Sequence, residues 1–173
     1  MTVPRRRSRF AAGLMIAALL LAGCKSKGTT DVREKIPAAS RLALEQATDV
    51  ELLSLEPHFG PVEKGREAAP FHGCEILGKT KIEDASIRRR LVTALEKAAQ
   101  DNDGVAAACF EPHHALRVTH GGRTLDFVIC FQCLQVQVFE GDERTTGFLI
   151  TDAPRALFDD VLRDAHVRLP AGK

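Results

Sequence analysis

Cysteine and histidine side chains gather in one short stretch of this sequence. Their linear pattern is Cys109-x4-His114-x15-Cys130-x2-Cys133. His113 lies directly before His114, and two further cysteines, Cys24 and Cys74, lie outside the stretch. Thiols and imidazoles at such spacings can form disulfides, bind a soft metal ion, or supply a nucleophile together with its base.

Disulfides are the first interpretation, because the four cysteines after Cys24 are an even number. A disulfide between two of the residues Cys109, Cys130 and Cys133 leaves at least one thiol unpaired. Cys74 could be its partner. Three residues of straight strand separate the Cα atoms of Cys130 and Cys133 by about 10 Å, beyond the limit of about 7 Å for a disulfide. These two cysteines can therefore pair only if the chain bends between them.

A metal site is the second interpretation. The four residues of the pattern could form a Cys3His tetrahedron, which zinc or cuprous copper would accept. The short spacing between Cys130 and Cys133 fits a zinc knuckle, but a strong zinc signature has two such pairs.

Catalysis is the third interpretation. His113 or His114 could act as base for a cysteine nucleophile, but no residue marks an oxyanion hole or a third, orienting group. A thioredoxin-type motif needs its first cysteine at a helix N-terminus, whereas Cys130 is predicted to end a strand. An enzyme is therefore the least expected of the three.

Gly121–Gly122 is a strong hairpin signal between two predicted strands. If these glycines form the turn, counting outward places His113 opposite Cys130. A loop that differs by one residue would place His114 there instead. In both registers a histidine and Cys130 are neighbours.

The same register places Arg117 opposite Asp126, so an ordinary cross-strand ion pair is expected. The remaining histidines fall in predicted loops or at helix ends, where we expect solvated side chains: His58, His72, His120 and His166.

Apolar runs and turn residues predict the secondary structure. The strand candidates are Val50–Leu55, Cys74–Lys79, Ala106–Phe110, Ala115–Thr119, Thr124–Cys130, Leu134–Phe139 and Thr145–Ile150. Asp84–Gln100 and Pro154–His166 are predicted helices, and Pro57–Pro70 is a predicted loop. We expect an α+β fold in which an antiparallel sheet of about four to six strands packs against one long central helix and a C-terminal helix.

The first residues have the composition of an export signal. Arginines precede an apolar run from Phe10 to Ala22, which is shorter than the roughly 20 residues of a spanning helix. Leu21-Ala22-Gly23-Cys24 resembles a lipobox, whose cysteine is acylated and becomes the first mature residue. We therefore predict a cleaved signal over residues 1–23, a flexible tether over 24–39 and a single α+β domain over 40–173.

The composition argues against several classes of partner. The chain has 24 basic and 23 acidic side chains, and loss of the four signal arginines lowers its formal charge from +1 to −3. A mildly acidic chain offers no basic face for nucleic acid. The absence of Trp and Tyr weighs against partners that need stacking rings. The predicted partner is the membrane, reached through the lipid anchor, and any protein partner in the envelope stays unknown.

The segments CFEPHHALR, which begins at Cys109, and VICFQC, which ends at Cys133, form a signature. They resemble the pattern C-F-x-P-R-H-G-[IL]-R, followed by V-x-I-C-F-x-C, of a family of small, uncharacterised bacterial envelope proteins. The resemblance implies that His114 and Arg117 belong with the three clustered cysteines. His113 and the following alanine depart from the pattern, and Cys74 lies outside it.

Together these patterns predict a membrane-anchored bacterial lipoprotein with a non-catalytic binding or structural domain and disulfide-bonded cluster cysteines. The alternative is an envelope protein that binds zinc or copper through the same cluster, and a thiol-dependent enzyme comes third. By resemblance to Gram-negative lipoproteins, the absence of Asp after Cys24 favours the outer membrane, facing the periplasm.

Overall fold

The structure, a computed structural model, describes residues 35–57 and 71–170. The predicted signal, Cys24 and most of the tether lie outside these ranges, as do residues 58–70 of the predicted loop. In chain order the described elements are α1 (Ala38–Glu45), β1 (Asp49–Pro57), β2 (Cys74–Lys81), α2 (Ala85–Asp101), β3 (His114–His120), β4 (Arg123–Cys130), β5 (Gln135–Glu140), β6 (Glu143–Leu149) and α3 (Arg155–Asp164).

The strands form a six-stranded antiparallel sheet in the order β2-β1-β3-β4-β5-β6. The predicted α+β class and antiparallel sheet are therefore confirmed. The prediction of one long central helix is wrong, because the described residues form three helices. The unpredicted helix α1 begins within the predicted tether, and Ile36 before it is only 5% exposed. Ile36 thus packs into the core of the domain.

Helix α2 forms where its sequence predicts it. The Asp84 carboxylate accepts hydrogen bonds from the backbone N–H groups of Ser86, at 2.6 Å, and Ile87, at 3.4 Å. A side-chain hydrogen bond with Ser86, followed by these two backbone bonds, lowers the pKa of Asp84. The backbone bonds also satisfy donors that a helix N-terminus leaves open. Leu91 and Leu95, one turn apart, are buried on the predicted apolar face.

Apolar side chains cover both faces of the sheet. Alternation along β3 places Leu116 and Val118 on the face that shares a core with the three helices. The opposite face buries a smaller cluster of Leu53, Leu55, Cys74, Ala115 and Val128. Side chains from neighbouring turns and loops therefore have to cover this second face.

The predicted strand over Ala106–Phe110 is wrong, since residues 102–113 connect α2 to β3 without regular structure. The connection is tied down by hydrogen bonds of other kinds. The buried Asn102 amide donates to the carbonyl oxygens of Val105, at 2.9 Å, and Ile150, at 2.7 Å. These bonds fix where the connection leaves α2 and lead it towards the end of β4.

Candidate functional site

A disulfide joins Cys130, the last residue of β4, to Cys133. The chain turns from residue 131 onward, and this turn brings the two Cα atoms to 5.1 Å. Leu134, directly after Cys133, lies in the left-handed backbone region at φ 58°. The bend that pairing requires is therefore present. Cys130 begins no helix, so the arrangement differs from a thioredoxin motif, as the sequence indicates.

Cys109 lies against this disulfide as a free, exposed thiol. Its Sγ is 3.6 Å from the Sγ of Cys133. The connection after α2 holds it there, because the backbone N–H of Ala107 donates to the Cys133 carbonyl at 3.1 Å. The Gln135 amide donates to the Ala107 carbonyl at 2.5 Å. The structure thus brings the three clustered cysteines together, and Gln135, which the sequence did not single out, helps to position them.

Backbone N–H groups point at both sulfurs of the disulfide. The N–H of Glu111 donates to Cys133 Sγ at 3.2 Å, and the N–H of Cys133 donates to Cys130 Sγ at 3.0 Å. A disulfide sulfur is a weak acceptor, whereas a thiolate gains much more from such donors. The arrangement is therefore suited to negative charge at either sulfur.

Cys74 takes no part in the cluster. It is a free thiol that is buried in the smaller core cluster, among Leu53, Ala115 and Val128. Burial raises the pKa of this thiol to about 11, so it carries little thiolate near neutral pH. The expectation that Cys74 could pair with a clustered cysteine is wrong.

His114 lies opposite Ile129, in the register set by the Gly121–Gly122 turn. The alternative register, with His114 opposite Cys130, is wrong. The His114 ring is buried beside Phe131, with centroids 5.2 Å apart, and its Nε2 lies 2.8 Å from the Asp159 carboxylate on α3. Within the described part of the chain, Nδ1 of His114 has no hydrogen-bond partner.

Asp159 is the unpredicted partner of this histidine. Burial raises the pKa of its carboxyl group, but the hydrogen bond and charge of His114, with the charges of Arg155 and Arg163, outweigh that effect. The net pKa lies below the usual value. Asp159 directly follows the buried Phe158 in α3, and helical periodicity in the sequence gives no signal that this carboxylate contacts His114.

His113 is half-buried, and its backbone carbonyl accepts a hydrogen bond from the Leu55 N–H at 2.9 Å. Its pKa is lowered, first by burial and then by the charge of His114. A neutral imidazole is therefore favoured at this position, next to the start of β3.

The predicted metal ligands do not converge as a tetrahedron. Cys130 and Cys133 share a covalent bond, and Nε2 of His114 faces Asp159. Across residues 35–57 and 71–170, no group of three or more His, Cys, Asp or Glu side chains is arranged to hold a metal ion.

A second polar cluster lies on the opposite face of the sheet. Arg117 donates to Asp126 through Nε at 2.7 Å and through Nη2 at 2.9 Å, which confirms the predicted cross-strand pair. The hydrogen bond to Asp126 raises the pKa of Arg117. Arg117 also lies 5.0 Å from the ring centroid of Phe71.

His72 joins this cluster, so the expectation of a solvated side chain is wrong. Its side chain is 7% exposed, its Nε2 lies 2.8 Å from Asp126, and its ring stacks on Phe139 with centroids 4.0 Å apart. His72 and Gly73 both have positive φ, which turns the chain back between Phe71 and Cys74. The His72–Gly73 pair was the available turn signal in the sequence.

No protein-family model matches the chain, and comparisons with curated proteins and with solved structures give no match.

Proposed function

We propose that the chain is a lipoprotein of the bacterial cell envelope, anchored by acyl groups on Cys24. In this proposal, a tether leads to a domain with a non-catalytic binding or structural role, and α2 and α3 form the main cover of one sheet face. The observation that carries the proposal is the Cys130–Cys133 disulfide. Disulfides persist in exported compartments and are rare in a reducing cytosol.

The N-terminal sequence supports the same location. An apolar run of the length of a signal core ends at Leu21-Ala22-Gly23-Cys24, and arginines precede it. No helix among the described residues is long and apolar enough to cross a membrane. Several acyl chains together give stable anchoring, since each buried CH2 contributes about 0.8 kcal/mol. The residue after Cys24 is Lys25, which favours the outer membrane.

The surroundings of the disulfide support a structural role. Both of its cysteines are 0% exposed, so they are part of the interior. His114, whose ring packs against Phe131, is also buried, and its Nε2 is occupied by Asp159. A nucleophile paired with its base would instead need the two groups within hydrogen-bond reach of each other and of a substrate.

Acylation is tested by growing bacteria that express the full chain with radiolabelled palmitate. We expect label in the wild-type protein and in Cys74→Ser, but none in Cys24→Ser. Cys74→Ser is the matched control, because it also removes one cysteine. An unlabelled wild-type chain would contradict the lipoprotein proposal.

Native mass spectrometry of the wild-type chain, purified from membranes in detergent, tests the state of the cluster. We expect a metal-free protein whose mass deficit matches one disulfide, which peptide mapping places at Cys130 and Cys133. Bound zinc or copper that is lost on denaturation, together with free thiols at both positions, would favour the metal-binding alternative.

A further inference from the structure

The three clustered cysteines have the arrangement of a thiol–disulfide exchange site. Cys109 Sγ lies 3.6 Å from Cys133 Sγ, which is itself bonded to Cys130. Exchange begins when a thiolate attacks one sulfur of a disulfide and displaces the other. We propose that the cluster is a relay, in which the exposed Cys109 carries disulfide exchange between the buried pair and an external protein or peptide dithiol. The relay goes beyond the structural role proposed above.

Exposure separates the roles of the three sulfurs. Cys109 is exposed, whereas Cys130 and Cys133 are fully buried. An external thiol therefore cannot reach the disulfide directly without local opening of the fold. It can reach Cys109, which already touches the disulfide from the outside.

Hydrogen-bond donors support the release of both buried sulfurs during the exchange. When Cys109 attacks Cys133, the leaving sulfur is Cys130, and the N–H of Cys133 points at it from 3.0 Å. When Cys133 later leaves in turn, the N–H of Glu111 points at it from 3.2 Å. Donors that are already aimed where charge develops lower the cost of forming it.

Exchange also requires that Cys109 is held next to the disulfide, since it lies in a connection without regular structure. Hydrogen bonds from Ala107 and Gln135 hold that connection against residues 133–135, and the Asn102 amide secures its start. A connection whose only task was to link α2 to β3 would not need to bring its cysteine to the disulfide.

The first step is internal and transfers no electrons to or from the protein. Cys109 loses its thiol proton to solvent, and its thiolate attacks Cys133 Sγ. The Cys109–Cys133 bond forms as the Cys133–Cys130 bond breaks. Cys130 leaves as a thiolate and takes a proton from solvent.

The second step involves the external dithiol. One of its thiolates attacks Cys109 Sγ, which forms a mixed disulfide and releases Cys133 as a thiolate that takes a proton. The second thiol of the dithiol, on losing its proton, attacks the mixed disulfide and releases Cys109. The dithiol is oxidised to a disulfide by loss of two electrons, and Cys130 and Cys133 end as two thiols.

The test compares rates of disulfide reduction by excess dithiothreitol in the purified full chain, followed by acid quenching and alkylation. We expect Cys109→Ser to slow reduction of the Cys130–Cys133 bond by about tenfold or more, since direct attack then requires local opening. Cys74→Ser is the matched control and should leave the rate unchanged. Equal rates in wild type and Cys109→Ser would overturn the relay.

Two further measurements do not depend on how well Cys109→Ser folds. Alkylation of the exposed thiol in the folded wild-type protein should slow reduction to the same extent as the substitution, and an unchanged rate would overturn the relay. Cys130→Ser, oxidised with glutathione disulfide, should form a Cys109–Cys133 bond, and two free thiols there would also overturn it. Acylation of Cys24 affects none of these results, so failure of the lipoprotein proposal is recognisable separately.

Discussion

At the scale of single residues, Asp126 is a buried carboxylate that depends on its polar partners. Its side chain is 5% exposed, yet it accepts two hydrogen bonds from Arg117 and lies 2.8 Å from Nε2 of His72. A buried carboxylate is tolerated when its partners compensate for lost hydration, and removal of one partner leaves the others unsatisfied. The cluster therefore fixes the turn at His72 against β3 and β4.

We expect Asp126→Asn to lower the free energy of unfolding by about 2–3 kcal/mol, because the half-buried Arg117 loses its charged acceptor. Urea denaturation measures this. Glu140→Gln, in the exposed pair that Arg123 forms with Glu140, is the matched control and should change stability far less. Equal effects of the two substitutions would show that Asp126 is not a structural anchor.

A second residue-scale prediction concerns Asp159 and pH. Its carboxyl pKa is lowered in the folded protein, since the effects of His114 and the two arginines exceed that of burial. A depressed folded pKa contributes stability above the unfolded pKa of about 3.9, and that contribution is lost as the pH falls through the folded pKa. Part of the acid sensitivity of the fold should therefore come from Asp159.

We expect Asp159→Asn to reduce the difference in unfolding free energy between about pH 6 and pH 3, measured by urea denaturation. The neighbouring exposed Asp160 provides the matched control, Asp160→Asn. If Asp159→Asn and Asp160→Asn both keep the pH dependence of the wild type, the His114–Asp159 contact does not contribute to the pH dependence of stability.

At the scale of elements, close packing of two strands restricts Gly147. A Cβ atom added there would lie 2.7 Å from the backbone carbonyl oxygen of Val136 on β5, which cannot move without disturbing the strand pair. Gly78 offers a comparison, because its added Cβ would meet a side-chain methyl of Val167 at 2.9 Å. A side chain can rotate or shift, whereas paired backbone cannot.

We therefore expect Gly147→Ala to destabilise the protein by about 1–3 kcal/mol and Gly78→Ala by less. Thermal unfolding followed by circular dichroism compares the two. The reverse order would mean that the β5–β6 pair adapts more easily than the contact with Val167.

Elements could be predicted from the sequence where local patterns agree with tertiary structure. The Gly121–Gly122 turn fixes the register of β3 and β4, and with it the Arg117–Asp126 pair. Ala106–Phe110 is apolar enough for a strand, but its backbone bonds to the turn after Cys130, a contact distant in sequence. The approach of Cys109 to the disulfide depends on that contact, and local propensity carries no information about it.

At the scale of the whole molecule, the sheet has a large core on its helical face and a smaller one opposite. The disulfide joins two cysteines with a sequence separation of only 3 residues. A bond that closes so short a loop constrains the unfolded chain little, so the chain-entropy account assigns it about 2 kcal/mol. The two cores, which the bond does not connect, should hold the fold without it.

We therefore expect the reduced protein to stay folded, with its melting temperature lowered by about 4–8 °C relative to the oxidised protein. Circular dichroism melts with and without a phosphine reductant measure this.

A metal-dependent fold behaves differently, because a chelator removes the ion and denatures the protein. A chelator should leave the melting temperature unchanged here. A large loss of stability with the chelator, and none with the reductant, would instead place a metal ion at the clustered cysteines.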